Sequence, residues 1–296
     1  MTESVADALA GATRRLAAAG VESPRADAEV LLADVSGTAR GSLSGLSRLS
    51  DEIAAGFRAA IARRETREPL QHITGRAAFR YLDLEVGPGV FVPRPETEVM
   101  AGVAVDELRR LLSTTPEPLA VDLCSGSGAV ALAMATEASG CRVVAVELSP
   151  QAVDYASRNA AGHPVEVRCG DIVDAVDDLV GQVQVVTANP PYIPLTAYES
   201  VAVEARQFDP PSALWAGDDG LHMIRKVADV AARLLTDGGL LLCEHADVQG
   251  EVAPAVFAAN GRWVDVRDCD DLAGRPRFVS ARRAPRSCGM PGTMTR

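Results

Sequence analysis

The stretch Leu119-Ala-Val-Asp-Leu-Cys-Ser-Gly-Ser-Gly-Ala-Val-Ala-Leu132 decides the fold class of this chain. Its first half is typical of a buried strand and its last residues of a helix. The glycines between them let a ligand approach the backbone closely. About twenty residues further on, a second predicted strand ends at Glu147, whose carboxylate can accept both hydroxyls of a ribose. The pattern fits a nicotinamide dinucleotide and S-adenosylmethionine equally well.

A later turn separates these two alternatives. Residues 183–188 predict a buried strand, and Asn189-Pro190-Pro191-Tyr192 follows it directly. Two prolines end a strand, since neither has an N–H and each φ is fixed, so we expect a stiff turn where open α/β sheets bind ligands. The Asn189 side-chain oxygen and the Pro190 carbonyl can accept both N–H bonds of one planar NH2 group, with Tyr192 as a flat face beside it. A dehydrogenase has no use for such a turn, which favours S-adenosylmethionine as the cofactor.

Strands and helices alternate from Leu119 onward, which predicts an α/β fold with a doubly wound, Rossmann-like sheet. Ser149-Pro150 is expected to cap the helix after the second strand. Asp171 and Ile172 follow the third strand and are expected to flank the adenine of the cofactor. The last two strands, near 263–267 and 277–281, are expected to form an antiparallel edge pair.

The first 70 residues have a different pattern. Apolar residues recur at helical spacing, and Gly20, Gly37 and Pro69 mark the expected helix ends. A β-hairpin should follow, with a strand from Phe79 and a turn at Gly87-Pro88-Gly89. The predicted organisation is a helical domain at 1–70, a hairpin linker at 71–95, a cofactor-binding domain at 96–283 and a disordered tail at 284–296.

Composition excludes several classes of protein. The net charge of −11 argues against a protein that holds nucleic acid by its phosphates. The six cysteines never occur in CxxC spacing and the four histidines are scattered, so we expect a reduced, cytoplasmic protein without a metal site. The sequence shows no secretion signal and no apolar stretch of membrane-spanning length, so we expect no membrane association.

Several motifs together indicate a family. They are Pro69-Leu-Gln-His-Ile-Thr-Gly75, Val92-Pro-Arg-Pro-Glu-Thr-Glu98, Asp122-Leu-Cys-Ser-Gly-Ser-Gly128, Asn189-Pro-Pro-Tyr-Ile193, Glu244-His245, Gln249-Gly250 and Leu272-Ala-Gly-Arg-Pro-Arg-Phe278. Through this set, which spans about residues 69 to 280, the chain resembles the glutamine-N5 methyltransferases that modify peptide-chain release factors. The Asn-Pro-Pro-Tyr turn alone is shared with adenine-N6 DNA methyltransferases, so the whole set carries the resemblance.

The resemblance implies a class I methyltransferase fold, S-adenosylmethionine as the methyl donor and the glutamine of a Gly-Gly-Gln loop as the acceptor. Release factors would then be the protein partners, docked in part by the N-terminal domain. Residues expected to bind the acceptor and to act in catalysis are Asn189, Pro190, Pro191 and Tyr192. Those expected to bind the cofactor are Cys124, Ser125, Gly126, Ser127, Gly128, Glu147, Asp171, Ile172 and Asn189.

Some positions depart from the family pattern or remain open between two roles. Cys124 stands where the family usually has glycine, and Glu147 stands where many relatives have aspartate. Arg94 and Glu96 either shape the acceptor site or form a structural ion pair. For Glu244, a structural role at the end of a strand is favoured.

Three alternatives remain at the level of function. A glutamine methyltransferase acting on a ribosomal protein would share these motifs. A nucleic-acid adenine-N6 methyltransferase would share the Asn-Pro-Pro-Tyr turn but would need a basic face. A catalytically silent cofactor-binding module is disfavoured because Asn189 and both loop glycines are intact.

Overall fold

A computed structural model describes residues 4–259 and 261–286 of the chain. Most of the predicted tail, residues 287–296, therefore lies outside the described residues. The chain forms two compact units, one of which contains residues up to Ala77 together with 85–92 and 199–211. The second unit contains the remaining described residues.

The first unit is built mainly from helices α1 Val5–Ala18, α2 Pro24–Ser36, α3 Asp51–Glu65 and α4 Leu70–Thr74. Side-chain caps begin two of them: Ser4 Oγ accepts from Asp7 N and Ser50 Oγ accepts from Ile53 N. Gly37 ends α2 at a φ of +63°. The helices share a core that includes Leu16, Leu31, Leu32, Phe57 and Ile61.

A short hairpin follows, but its turn differs from the prediction. Its strands are β1 Arg76–Phe79 and β2 Leu82–Glu85, so the continuous strand expected from Phe79, with a turn at residues 87–89, was wrong. The chain turns at Arg80, whose φ is +51°. The guanidinium of Arg80 donates to both carboxylate oxygens of Glu137, and its backbone N–H donates to Glu98. Contacts to distant residues thus hold a turn that carries no glycine signal.

The second unit contains the sheet, and its class is as predicted. The strands lie in the order β5-β4-β3-β6-β7-β9-β8. Strands β3 to β7 are parallel, and β9 pairs antiparallel with both β7 and β8, which confirms the predicted edge pair. The bounds are β3 Leu119–Leu123, β4 Arg142–Glu147, β5 Val165–Cys169, β6 Val183–Ala188, β7 Leu235–Glu244, β8 Trp263–Asp270 and β9 Pro276–Arg283.

Helices cover the sheet and complete the fold. They are α5 Thr97–Leu111, α6 Ala129–Glu137, α7 Pro150–Asn159, α10 His222–Leu234 and α11 Val252–Ala258. Two short helices, α8 Val203–Phe208 and α9 Pro211–Leu214, occur along the chain between β6 and β7. Ser149 caps α7 as predicted. One apolar core includes residues of α10 and α11, and another includes residues of α5 and α6. No helix in the described part of the chain has the length and apolar character that a bilayer span requires.

The strand register determines which residues meet at the carboxyl edge of the sheet. Leu123 of β3 lies opposite Ala188 of β6, and Ala188 lies opposite Cys243 of β7. The residues that follow these three positions are Cys124, Asn189 and Glu244. The glycine loop, the proline turn and the buried acid are therefore neighbours at one edge.

Candidate active site

Asn189 leaves β6 half-buried, and its side-chain amide is held from one side. Its Nδ2 donates to Thr97 Oγ1 over 3.3 Å, so the amide nitrogen is already engaged. Its Oδ1 has no hydrogen-bond partner among the residues that the structure describes. The side chain thus keeps an acceptor oxygen available, which the predicted contact with an incoming N–H requires.

Glu244 is deeply buried next to this turn, with 1% of the residue exposed. Its carboxylate accepts from Thr97 Oγ1 over 2.7 Å and from the Tyr192 hydroxyl over 3.2 Å. Burial raises the pKa of Glu244 to about 7, although the Thr97 hydrogen bond and the charge of Arg277 oppose the rise. The sequence favoured a structural role for Glu244 and gave no separate signal for Thr97, because neither residue lies within the predicted turn.

The backbone after the prolines is fixed by contacts on both sides. Gln249 Nε2 donates to the Tyr192 carbonyl over 3.1 Å. Ile193 N donates to Leu214 O, and Ala216 N donates to Ile193 O, which forms a parallel bridge. Burial raises the pKa of the Tyr192 hydroxyl, so it stays protonated and donates to Glu244. The flat face predicted for Tyr192 is therefore anchored at both the hydroxyl and the backbone.

The glycine loop has a left-handed backbone at three positions. Gly126 and Gly128 have φ of +57° and +85°, and Cys124, where the family usually has glycine, has φ of +59°. A Cβ built on Gly126 would meet nothing within 4 Å, so space for a ligand remains above the loop. Glu147 closes the loop from the next strand, since its carboxylate accepts from Gly126 N and Ser149 N, each over 2.8 Å.

Buried polar atoms lie at the base of this loop. Asp122 Oδ1 accepts from Thr187 Oγ1 over 2.7 Å, which joins β3 to β6. Asp122 Oδ2 and the hydroxyl of Ser125 are buried without a hydrogen-bond partner in the described part of the chain. Polar atoms left unpaired beside an open loop fit a polar ligand such as the amino-acid end of S-adenosylmethionine. Burial raises the pKa of Asp122 to about 7.

The predicted adenine-flanking residues occupy different surroundings. Asp171 pairs with Lys226 Nζ over 2.7 Å and also accepts from Val173 N, while Ile172 is 4% exposed and belongs to a core. Their contact with adenine stays a prediction. Lys226 lies on α10, far along the chain from Asp171, and no sequence signal linked the two.

Arg94 and Glu96 lie just before α5, and their roles stay predictions. The carbonyl of Arg94 accepts from Thr97 N over 3.1 Å, which helps to begin that helix. The negative charge of Glu96 adds to the raised pKa of Glu244.

Other motif residues form polar contacts close to Glu244. His245, which is buried directly after β7, contacts Asp268 through Nε2 over 3.0 Å, and its backbone N–H donates to Arg277 O. Arg277 in turn pairs with Asp271. His245 and Arg277 belong to the family motifs, but no sequence pattern indicated these contacts. No group of three or more histidine, cysteine or acidic side chains within the described ranges is arranged to hold a metal ion.

Comparison with known proteins supports the family that the sequence motifs indicate. A family model described as the PrmC N-terminal domain matches residues 7–75, and a methyltransferase domain model matches residues 120–208. The release factor glutamine methyltransferase of Streptomyces coelicolor is 53% identical over 93% of this chain and 97% of its own length. The enzyme of the same name from Mycolicibacterium smegmatis is 46% identical over 95% of this chain and 98% of its own length.

One relative is named for a different activity. It is the 4-amino-L-phenylalanine/4-methylamino-L-phenylalanine methyltransferase of Streptomyces pristinaespiralis, which is 43% identical over 88% of this chain and 89% of its own length. Identity and coverage are nevertheless higher for the two relatives above, and the chain belongs to the family of release factor glutamine methyltransferases.

Proposed function

We propose that this protein is an S-adenosylmethionine-dependent enzyme that methylates the N5 amide nitrogen of the glutamine in the Gly-Gly-Gln loop of peptide-chain release factors. The observation that carries the proposal is the Asn189 amide, whose Nδ2 is held by Thr97 and whose Oδ1 remains available. It lies at the same sheet edge as the glycine loop. The names of the relatives support the substrate.

The cofactor would be held by the loop 124–128 and by Glu147, with Asp171 and Ile172 near its base. S-adenosylmethionine supplies an electrophilic methyl group on a sulfonium.

The residues of the turn supply orientation. A glutamine amide nitrogen is a poor nucleophile, because its lone pair is delocalised into the carbonyl. Asn189 Oδ1 and the Pro190 carbonyl would each accept one N–H bond of that amide and so direct the face of the nitrogen toward the methyl group. The same two acceptors stabilise the positive charge that grows on nitrogen during transfer. Tyr192 would lie against the plane of the amide.

The substrate is expected to be protein and not nucleic acid. The net charge of −11 disfavours the phosphate contacts that a DNA or RNA substrate requires. Release factors act in the cytoplasm, so we expect the enzyme to act there. The helical N-terminal part is expected to contribute a second docking surface for the release factor, which raises the effective concentration of the glutamine loop at the site.

The test is a labelling experiment with several acceptors. The protein is incubated with methyl-labelled S-adenosylmethionine and, separately, intact release factor, purified ribosomes, DNA and 4-amino-L-phenylalanine. We expect label on the release factor, and mass spectrometry should place it on the glutamine of Gly-Gly-Gln. Preferential labelling of another acceptor would overturn the proposal.

Asn189→Ala in the same assay tests the proposed role of the amide. Loss of one oriented acceptor should reduce kcat by about 100-fold or more. The affinity for S-adenosylmethionine, measured by calorimetry, should fall only modestly. Turnover close to that of the wild type would exclude Asn189 as the acceptor-binding group.

A further inference from the structure

Three side chains form a directional chain of hydrogen bonds behind the candidate acceptor site. Asn189 Nδ2 donates to Thr97 Oγ1, and Thr97 Oγ1 donates to Glu244 Oε2. The Tyr192 hydroxyl donates to the other oxygen of the same carboxylate, Glu244 Oε1. The carboxylate thus receives one hydrogen bond from the start of α5 and one from the proline turn.

The direction of this chain has a consequence for the amide. A threonine hydroxyl has one proton, and Glu244 takes it, so Thr97 presents only lone pairs to Asn189. A lone pair accepts from an NH2 group and repels a carbonyl oxygen. The amide is therefore held with Nδ2 toward Thr97 and Oδ1 away from it.

We propose that Thr97 and Glu244 are positioning residues that determine which way the Asn189 amide faces, and so keep its oxygen available to the acceptor N–H. The proposal rests on the proposed function, because Asn189 Oδ1 is the atom that would bind the substrate amide. If the amide rotated by a half-turn, an NH2 group would face the donors of the substrate and transfer would stop.

Burial strengthens the effect of these hydrogen bonds on the orientation of the Asn189 amide. Thr97 is 3% exposed and Glu244 is 1% exposed, so no bulk water replaces a missing partner in the chain. The charged and titratable groups that act on Glu244 come from three sides: Arg277 on β9, Glu96 before α5, and Tyr192 in the turn. Arg277 favours the ionised carboxylate that accepts from Thr97, whereas Glu96 opposes it.

The protonation state of Glu244 gives a second readout. Burial raises its pKa to about 7. Below that pH the carboxyl carries its own proton and can donate to Thr97, which frees the Thr97 hydroxyl to donate to Asn189 Oδ1. When the hydrogen bonds run in this opposite direction, the Asn189 amide is favoured with Oδ1 toward Thr97 and Nδ2 toward the substrate. The kcat of the wild type should therefore fall as the pH is lowered through about 7.

Thr97→Val is the principal variant, because valine keeps the shape of threonine and removes the hydroxyl. It should lower kcat by about 100-fold, the size of a small misplacement of a reacting group. The KM for release factor and the affinity for S-adenosylmethionine should change little, since Thr97 is only 3% exposed and we expect it to contact neither ligand. Thr97→Ser restores the hydroxyl and should recover most of the lost kcat.

Two further variants separate positioning from general damage. Thr136→Val makes the same chemical change at a half-buried threonine whose hydroxyl bonds only to carbonyls of its own helix, and kcat should stay at the wild-type level. Glu244→Gln cannot titrate, so its kcat should be reduced and should not depend on pH near 7. Melting temperature and calorimetric cofactor affinity verify that each variant is folded.

The outcomes distinguish this proposal from the function on which it rests. If the wild type does not methylate release factor, the proposed function fails. If the wild type does so and Thr97→Val keeps its kcat, or Glu244→Gln keeps the pH dependence of the wild type, the positioning role is overturned. The positioning role would also be overturned if Thr97→Val and Thr97→Ser each lost kcat to the same extent. In that case the hydroxyl would not be the group that orients Asn189.

Discussion

At the scale of single residues, Cys124 adopts a backbone conformation that usually favours glycine. Its φ of +59° lies in the left-handed region, where a side chain costs about 1–2 kcal/mol relative to glycine. Burial raises the pKa of its thiol, so the group stays protonated and behaves as a small apolar side chain. Its contact with the core offsets part of the backbone strain.

We expect the size of the side chain at position 124 to determine stability. Cys124→Gly relieves the backbone strain, but the greater conformational freedom of glycine stabilises the unfolded chain by about 0.5–1 kcal/mol. The two effects oppose each other, so the free energy of unfolding should change by less than about 1 kcal/mol. Cys124→Val places a β-branched residue at positive φ and should destabilise by about 2 kcal/mol or more. Denaturant titration of both variants tests this order, and equal stability of the two would contradict it.

Asp122 should make stability depend on pH. Burial raises its pKa from 3.8 to about 7, so the folded protein binds this proton more tightly than the unfolded chain. The stabilising contribution is complete below the unfolded pKa and is lost as the pH rises through the folded one. Glu244 acts in the same direction. Glu107, whose pKa is lowered to about 2 by hydrogen bonds from Arg110 and Arg282, loses its contribution only in acid and does not oppose the trend here.

The free energy of unfolding should therefore fall between about pH 5 and pH 7, by up to about 1.4 kcal/mol per pH unit for each of the two groups. Asp122→Asn keeps an acceptor for Thr187 and cannot titrate, so its fall should be visibly smaller. Chemical denaturation at several pH values measures both slopes. Identical slopes would mean that Asp122 titrates normally in the folded protein.

At the scale of elements, the segment just before α10 packs closely against the proline turn after β6 and against Gln249 after β7. This packing depends on one glycine. Gly220 has φ of +71°, and a Cβ there would lie 2.5 Å from the Tyr192 carbonyl and 2.7 Å from Gln249 Nε2. Both atoms belong to the hydrogen bond that fixes the proline turn. The close approach of the two segments therefore requires glycine at this position.

Gly220→Ala should displace the turn, and Gly217→Ala is its matched control. Gly217 has a similar φ of +77°, but its nearest neighbour to a new Cβ is His222 Cβ at 3.8 Å. Both variants carry the left-handed strain of about 1–2 kcal/mol, so their difference reports the clash. We expect Gly220→Ala to be less stable by about a further 1–3 kcal/mol and to lose kcat. Equal loss in both variants would show that the turn tolerates the displacement.

At the scale of the whole molecule, the first unit is discontinuous in sequence. Residues 199–211 belong to it, although they lie between β6 and β7 in the chain. Glu204 connects the 199–211 segment to the helical part of the same unit. It accepts from Arg67 over 2.6 and 2.7 Å and from the buried Arg64 over 3.2 Å, and Arg64 also pairs with Asp27.

Removal of this carboxylate should destabilise the protein. Glu204→Gln leaves two guanidinium groups with weakened partners, one of them buried, and should cost about 1–3 kcal/mol. Glu199→Gln breaks the pair with Arg206, in which Glu199 is 90% exposed, and should cost less than about 1 kcal/mol. Thermal unfolding of the full chain compares the two, and an equal effect would contradict the role given to Glu204.

This arrangement also affects how the docking role is tested. Deletion of residues 1–70 would remove Arg64 and Arg67 and leave Glu204 without them. A loss of activity in such a fragment would then reflect a damaged 199–211 segment as well as lost docking. Substitutions on the surface of the intact chain are the sounder test.

Local sequence patterns determined the strand, the glycine loop and the proline turn. Glycine and proline restrict or free the backbone at their own positions, so Gly126, Gly128, Pro190 and Pro191 predicted the shape of the site without knowledge of the fold. The alternation of strands and helices determined the sheet class in the same way. The Arg80 turn was missed because contacts to Glu98 and Glu137, distant in sequence, hold it in place.

Only the tertiary structure decided which groups stand behind Asn189. Thr97 and Glu244 are 147 positions apart, and their hydrogen bond exists because β7 lies next to β6 and α5 begins beside both ends. Hydrophobic periodicity determines that a strand forms, but it does not determine strand order or register, which depend on packing across the whole sheet. For that reason the sequence alone predicted Asn189 as a site residue, whereas its hydrogen-bonded connection to Thr97 and Glu244 emerged only from the fold.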